Sequence, residues 1–495
     1  MATPWVILGR VLRGVPGPED AGAEADELHA PPDFTFPVAL PPRVNIVAAG
    51  RDAHPEPNSP DAYPYIIAAN PLGLLVHFAA APFYGTQFCD NHHASHLVLV
   101  RNFHTAEGQA TATAERVTGR ADGVPGLQNI GNVAFACSDH GDYLIAELQV
   151  RDGDADAVIV YHLSSDGNGW APVYVAYPLA AEDRQWIPHG GAYLDGTFWW
   201  FDLSWGILSF DAVAELEAEQ PGLLFHDLPD DRALQEAAPN IHTRRCVAVS
   251  RDRLRYVDIF PEGEAAMVTM WTRVLGDHGW EWNMDYAVSF ESIWNDDSYT
   301  ETRLPRDVPV LAVVSPSNHE VVYFALEQHL FGVNVPEHRV VHFEAYELEN
   351  MPGPPPPASG RFLVAWDLSP VVAQALGMNH PFANFDAGEL AAEHDTESEE
   401  QDALESEDEE QPVVDPECKE QLANVFSYIE EQQAGESEGE EQPVADTYCN
   451  CKEQLAEEIG CAKAQESDVD EGMQPADRWN QTQQASHGEG SGNSY

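Results

Sequence analysis

The chain has 495 residues, 43% of them apolar, with 24 Lys plus Arg against 83 Asp plus Glu and a formal net charge of −59. That much apolar content builds a sizeable core. The charge excludes a nucleic acid or an anionic membrane surface as partner, since both are repelled, and leaves neutral or basic proteins as the partners expected.

The acid excess is spread along the chain. Residues 391–495 hold 30 acids and 4 bases, leaving 53 acids and 20 bases before them. Lys419, Lys452 and Lys463 are the only lysines, so nothing before the tail can use a Schiff base or a Walker phosphate loop. The basic residues of the body are all arginine, a bias we read as codon usage. Cys89, Cys137, Cys246, Cys418, Cys449, Cys451 and Cys461 are odd in number and scattered, which fits reduced thiols in an intracellular protein. The apolar run Trp5 to Leu8 is too short for a signal-peptide core, and no stretch reaches the length of a membrane span. A soluble protein of cytosol or nucleus is expected.

In chain order, Trp5 to Leu8, Phe34 to Phe36 and Val44 to Val47 read as strands. Tyr65 to Ala69 and Leu74 to Phe78 flank the turn Asn70-Pro71-Leu72-Gly73, and Leu97 to Phe103 and Thr111 to Val117 follow. Val133 to Cys137, Tyr143 to Val150, Ala157 to His162 and Trp170 to Tyr177 make the next group. The clearest group lies within Trp186 to Pro229. There Gly190 to Leu194 is followed by Asp195-Gly196, a dipeptide that supplies the positive φ of a two-residue hairpin turn. Thr197 to Phe201 is β-branched then aromatic, as suits a pleated surface. Gly206 to Asp211 and Leu223 to Leu228 complete four strands. Cys246 to Val249, Leu254 to Phe260, Met267 to Val274 and Trp280 to Val288 repeat the plan. Val310 to Val314, Val321 to Leu326, Leu330 to Val335 and Val340 to Leu348 repeat it again.

First strands at Leu74, Val133, Gly190, Cys246 and Val310 are spaced by 59, 57, 56 and 64 residues, the period of large propeller repeats. A four-stranded meander cannot bury both faces alone and calls for neighbours on either side. Phe362 to Trp366 is a lone strand expected to join the N-terminal strands as a closing sixth unit, leaving no open sheet edge. The fold expected is all-β: a β-propeller of about six four-stranded blades over residues 1–380. A disordered acidic tail with short helical segments is expected over 381–495.

Three stretches carry a family resemblance: WVILGRVLRG near the start, the hairpin LSSDGNGW, and HGGAYLDGTFWWFDLSWGILSFD. They resemble the plant family called domain of unknown function 1618 and, more loosely, the F-box-associated propellers of plants. The shared pattern falls on Gly191, Tyr193, Gly196, Trp199, Trp200, Ile207, Leu208, Phe210, Asp211, Leu228 and Pro229. The resemblance implies a propeller over about residues 5–368 and no catalytic residues. No F-box-like helical segment is read before the propeller.

The densest ligand-type cluster is Cys89, His92, His93 and His96, of which Cys89, His92 and His96 are the candidates for zinc. A strand starting at Leu97 leaves little room for the helix such a site needs, so a polar loop is expected, and no metal or other cofactor. Ser164 to Trp170 is similar to the Asp-box hairpin of sialidases with its Gly and Trp displaced, and reads as a structural turn. Gly435 to Gly439 matches the nucleophile-elbow pattern inside an acidic run, without the strand and helix an elbow requires. Asp230-Asp231 and Asp296-Asp297 read as solvated turn acids. Trp199, Trp200, Trp205, Trp271, Trp280, Trp282 and Trp294 read as core aromatics rather than a groove lining.

In the tail, residues 405–423 recur as 436–456 with two residues inserted. Leu422, Val425, Phe426 and Ile429 fall on one face of a candidate partner helix. Thr396, Ser406, Ser437 and Ser467 each stand three residues before an acid, the pattern of acidophilic phosphorylation. Together these readings predict a non-enzymatic protein-interaction scaffold. The alternatives are a small-ligand binder or hydrolase with its site at the channel mouth, and an F-box-less relative of ubiquitin-ligase substrate receptors.

Overall fold

The computed structural model describes residues 4–14, 34–49, 63–80 and 96–378, apart from 107–108, 122, 139–140, 151–155, 165–168, 180–183, 213–214, 216–219, 230–231, 239, 263–264, 277–278 and 350–355. The duplicated tail, with Leu422, Val425, Phe426, Ile429, Thr396, Ser406, Ser437 and Ser467, lies outside the described residues.

β-Strands dominate. β1 (Trp5–Gly14), β2 (Phe34–Phe36) and β3 (Val44–Ala49) precede a meander of β4 (Tyr63–Asn70), β5 (Gly73–Ala80), β6 (His96–Ala106) and β7 (Gln109–Arg116). Four antiparallel four-stranded sheets follow. The first comprises β8 (Val133–Cys137), β9 (Tyr143–Val150), β10 (Asp156–Leu163) and β11 (Trp170–Ala176). The second comprises β12 (Gly190–Leu194), β13 (Thr197–Asp202), β14 (Gly206–Asp211) and β15 (Leu224–Asp227). The third is β16 (Arg245–Val249), β17 (Leu254–Glu262), β18 (Ala265–Gly276) and β19 (Gly279–Ser289). The fourth is β20 (Val310–Val314), β21 (Val321–Leu326), β22 (His329–Asn334) and β23 (Arg339–Ala345). Finally β24 (Leu363–Asp367) pairs antiparallel with β1, placing Leu363 opposite Gly9 and Asp367 opposite Trp5.

The expected pairing of the lone late strand with the N-terminal strands is therefore present, in a sheet larger than four strands. β1 pairs in parallel with β3, β3 with β2, and β2 with β7, giving an eight-stranded order β24-β1-β3-β2-β7-β6-β5-β4. The first group also starts one strand earlier than expected, at Tyr63 rather than Leu74. The reason is contact: β4, not β5, lies against β8 and β24.

Both faces of the sheets are largely apolar, so strands such as Val133 to Cys137 read as continuous apolar runs. The spaces between sheets are filled in succession. Leu75, Leu99 and Ile145 join the β4–β7 meander to the β8–β11 sheet. Leu148, Ile159 and Trp200 join that sheet to β12–β15. Trp199, Ile207 and Tyr256 continue to β16–β19, and Val257, Met270 and Phe324 to β20–β23. Tyr323 and Leu330 then pack on Ile7 and Leu363, and Leu8, Phe34, Val76 and Val100 fill the fold of the eight-stranded sheet upon itself. The strands β4, β8, β12, β16, β20 and β24 touch in that order, and β24 returns to β4.

Local signals account for much of this. Asp195 and Gly196 hold φ of 49° and 79° in the β12–β13 hairpin, as the sequence predicts. Gly191 is needed for another reason: a Cβ there would lie 2.9 Å from the Val133 carbonyl oxygen, where β12 presses on β8. Three tryptophans are tied across segments by their indole N–H groups. Trp200 Nε1 donates to Asn132 O at 2.8 Å, Trp170 Nε1 to Thr118 O at 2.7 Å and Trp366 Nε1 to Asn70 O at 2.8 Å.

Three short helices were not expected: α1 (Phe290–Trp294), α2 (Asp297–Thr302) and α3 (Pro370–Ala375). Asp296 is accordingly not a simple turn acid. It caps α2, accepting from Ser298 N at 2.9 Å, and the Ser298 bonds hold its carboxyl below the usual range.

One side chain locks the seam where the chain ends meet. Arg10 on β1 donates through Nε to Gly360 O at 3.0 Å and through Nη1 to Ile66 O and Ile67 O at 2.8 and 2.7 Å. Deleting residues 1–12 removes β1 and opens the eight-stranded sheet, so the remaining body is expected to melt at lower temperature and less cooperatively; an unchanged calorimetric profile would refute the seam. Arg10→Met, which leaves those carbonyls unmatched, is expected to cost about 3 kcal/mol in a urea titration.

Candidate functional site

Three buried carboxylates recur at matching places in successive sheets. Glu147, near the end of β9, is fully buried and lies opposite Val133, the first residue of β8. Asp258 on β17 is likewise buried and opposite Arg245, the first residue of β16. Asp202 closes β13, beside the residue preceding β12. Each meets an arginine from the segment leading into the first strand of its own sheet. Arg120 Nη2 is 2.7 Å from Glu147 Oε2, Arg232 Nε is 2.7 Å from Asp258 Oδ2, and Arg184 Nη2 is 3.6 Å from Asp202 Oδ2. Each guanidinium also lies over an aromatic ring: Trp170 at 4.3 Å from the Arg120 carbon, Trp205 at 5.6 Å from Arg184 and Phe260 at 4.0 Å from Arg232.

The remaining lone pairs are used on backbone. Glu147 Oε1 accepts from Gln128 N at 2.7 Å and Asn129 N at 2.9 Å. Asp202 accepts from Ile187 N at 3.1 Å, and from Ser204 N and Oγ at 2.9 and 2.6 Å. Asp258 takes the Thr269 hydroxyl. Burial holds the Asp258 carboxyl above its usual range, with Thr269, Arg232 and Arg245 opposing. These groups clamp loops.

Basic groups gather at the entering ends of the first strands. His189 immediately precedes β12, His242 sits in the 3-10 turn Ile241–Thr243 before β16, and Arg361 precedes β24. Tyr65 on β4 donates its hydroxyl to Arg361 O at 2.5 Å. His189 Nδ1 accepts from Leu203 N at 3.3 Å, which leaves the ring proton on Nε2. Burial lowers the His189 pKa, with Asp202 and a hydrogen bond to the Ile187 backbone opposing and Arg361 and Arg184 reinforcing. Burial, then Arg361 and His189, lowers His242 to about 4.

A serine–histidine pair lies between β14 and β15. Ser209 Oγ is 2.7 Å from His226 Nε2, and Arg273 Nη2 is 2.7 Å from His226 Nδ1. A guanidinium only donates, so Nδ1 accepts and Nε2 carries the proton toward Ser209. The imidazole therefore has no lone pair for the serine proton, the reverse of a nucleophile–base pair. Burial and then Arg273 lower His226 to about 4, and burial lowers Arg273 to about 10.

The predicted residues fall as follows. Cys89, His92 and His93 lie outside the described residues, as do the side chain of His96, Asp230-Asp231, Ser165 to Asn168 and Gly435 to Gly439. Trp199 and Trp200 are core, as expected, and Trp205, Trp271, Trp282 and Trp294 are partly buried against it. Trp280 departs from expectation at 47% exposure, at the start of the outer strand β19. Burial raises the thiols of Cys137 and Cys246 to about 12, which leaves both protonated and inert. Among the described residues no helix is long and apolar enough to cross a membrane.

Residues 200–323 match the family model "Protein of unknown function (DUF1618)". The matched residues run from β13 to β21 and include Asp202, His226, Asp258, Arg273 and the β18–β19 hairpin. A search of curated proteins finds no match. Among solved structures, apo AztD from Citrobacter koseri is 11% identical, covers 66% of this chain and 84% of its own, and has a TM-score of 0.29. The WD40 domain of SCAP from fission yeast is 12% identical, with 65% and 81% covered and a TM-score of 0.24. Hsv2p from Kluyveromyces lactis is 14% identical, with 46% and 70% covered and a TM-score of 0.22. Likeness at these scores carries no argument.

Breaking a buried ion pair from one side strands its partner, so Asp202→Ala and Glu147→Ala are each expected to lose about 3–5 kcal/mol of unfolding free energy in urea. His226 gives a pH signature. Its folded pKa of about 4 lies below the usual 6.5, so between those values the folded state binds fewer protons than the unfolded one. Its contribution is therefore intact above pH 6.5 and lost on acidification toward 4, by roughly 3 kcal/mol. Urea titrations from pH 7 to 4.5 should show a shallower pH dependence in His226→Asn than in the parent.

Proposed function

We propose that the chain is a non-enzymatic interaction scaffold, a six-bladed β-propeller that docks an extended, neutral or basic protein segment along β19. Six blades are supported by the succession of β4, β8, β12, β16, β20 and β24 and by the apolar fillings between sheets. The eight-stranded sheet then counts as two blades sharing the β2–β7 ladder.

The observation that carries the docking reading is the β18–β19 hairpin. β19 ends its sheet and, among the described residues, pairs with β18 alone. An outer strand of this length offers a row of backbone donors and acceptors to an added strand. Trp280 and Met284 stand exposed along it at 47% and 54%, with Leu275 of β18, opposite Trp280, exposed at 71%. Trp280 is braced edge-on against Trp199 at 6.0 Å between centroids, so an anchor ring is already held in place. Glu281 and Asp285 on the same strand, and the net charge of −59, favour a basic or neutral segment over an acidic one.

The hydrolase reading gains nothing from Ser209 and His226, whose proton arrangement is wrong for it. The scaffold reading is tested with extended peptides of matched length, basic, neutral and acidic, titrated against the full chain. Basic apolar peptides should bind, Trp280→Ala should weaken them at least tenfold as interface anchors do, and Asn283→Pro should abolish added-strand pairing. Peptide binding that is absent, or indifferent to both substitutions, would overturn it.

A further inference from the structure

We propose that β19 selects an arginine in the segment it docks: the guanidinium stacks on the exposed ring of Trp280 and pairs with the carboxylate of Asp227 at the end of β15. This rests on the docking reading above and names the side chain that the site recognises.

Two neighbouring cross-strand pairs of the β18–β19 hairpin set the geometry. Leu275 stands opposite Trp280, and Arg273 stands opposite Trp282. Opposed residues share a face of a sheet, as do residues two apart along a strand. All four therefore lie on the face that Trp280 turns toward Trp199, 6.0 Å away between ring centroids. The inner pair already holds a cation. The Arg273 guanidinium lies over the Trp282 ring at 5.1 Å and donates to His226 Nδ1 at 2.7 Å. The outer pair has the same ring but an apolar residue in place of the cation. Leu275 and Trp280 are both exposed, and among the described residues no cation lies over the Trp280 ring. An arginine arriving from a partner repeats the inner contact on the outer ring, with its methylene stem on Leu275.

A counter-charge stands beside this face. Asp227 is tied to the hairpin through its carbonyl oxygen, which accepts from Trp282 Nε1 at 2.9 Å. The residue is exposed, and among the described residues its carboxylate takes no hydrogen bond or ion pair. Asp227 also acts on Arg273, without an ion pair between them, and Arg273 is buried and directed to His226. The other acids of β19 are placed differently. Glu281 is opposite Val274, on the reverse face and against Gly276, and Asp285 is held by Arg255 at 2.7 Å.

Arginine fits this pairing better than lysine, because a planar guanidinium can lie flat on an indole and still give N–H groups to a carboxylate. A second copy of this chain is the wrong occupant, since each copy carries a net charge of −59.

The test is isothermal titration of the full chain with extended Thr–Val repeat peptides that differ in one central residue: arginine, lysine, citrulline or leucine. The arginine peptide should bind about tenfold more tightly than the citrulline peptide, and more tightly than the equally charged lysine peptide. Asp227→Asn should erase the preference for arginine over citrulline and leave the affinity of the leucine peptide unchanged. Trp280→Leu, which keeps an apolar surface without the ring, should also narrow the arginine-to-citrulline ratio, whatever it does to affinity. Circular dichroism checks that both variants are folded. If the arginine, lysine and citrulline peptides bind alike, this proposal fails while the docking reading stands. If the arginine preference survives in both folded variants, arginine is read elsewhere and the proposal fails. If none of the four peptides binds, the docking reading fails with it.

Discussion

A four-stranded sheet with two apolar faces cannot stand in water on either side, and everything else in this chain follows from that constraint. Burying both faces of each sheet requires a neighbour on each side, and the last sheet must find the first. The chain meets this by bringing its earliest and latest strands together: β24 pairs with β1, and β1 reaches β4. Arg10 gathers carbonyls from the Gly360 turn and from β4, so one half-buried cation reports whether the two ends have met.

Packing alone would let neighbouring sheets slide, since apolar contact is not directional. The carboxylate–arginine clamps supply direction. In each of three successive sheets the acid on the second strand fixes the segment that leads into the first strand, and the guanidinium is seated on an aromatic ring. The clamp thereby sets where the first strand begins, which is also where His189 and His242 emerge.

Strand positions were legible because their signals are local: Asp195-Gly196 turns a hairpin, and runs such as Thr197 to Phe201 suit a pleated surface. Gly191 and Gly196 were legible for the same reason, since they mark a close approach and a positive φ; the family match itself falls on residues 200–323. The β2–β7 ladder was not legible, because Phe34 and Ala112 meet across a gap that no periodicity encodes. The five- and six-residue helices are too short to show a helical period. The clamps were missed because Glu147, Asp202 and Asp258 are three acids among 83. A signal did exist: each interrupts or closes an otherwise apolar second strand, at spacings of 55 and 56 residues, close to the repeat itself.

That placement also bears on the arginine bias of the body. Lysine presents a point charge on a flexible stem, whereas guanidinium is planar, stacks on rings and donates in several directions at once. Arg120, Arg184 and Arg232 each face a carboxylate and a ring together. Arg10 and Arg245 each reach backbone carbonyls from different segments, and Arg273 donates to a histidine while lying over Trp282. A lysine at any of these places could satisfy one contact and would abandon the others inside the protein, where an unmatched group is costly. Codon usage needs no help to explain an exposed arginine such as Arg43, paired with Glu344 at the surface. At the clamps and the seam the demand is geometric, and it is met by the one cation whose shape fits both an acid and a ring.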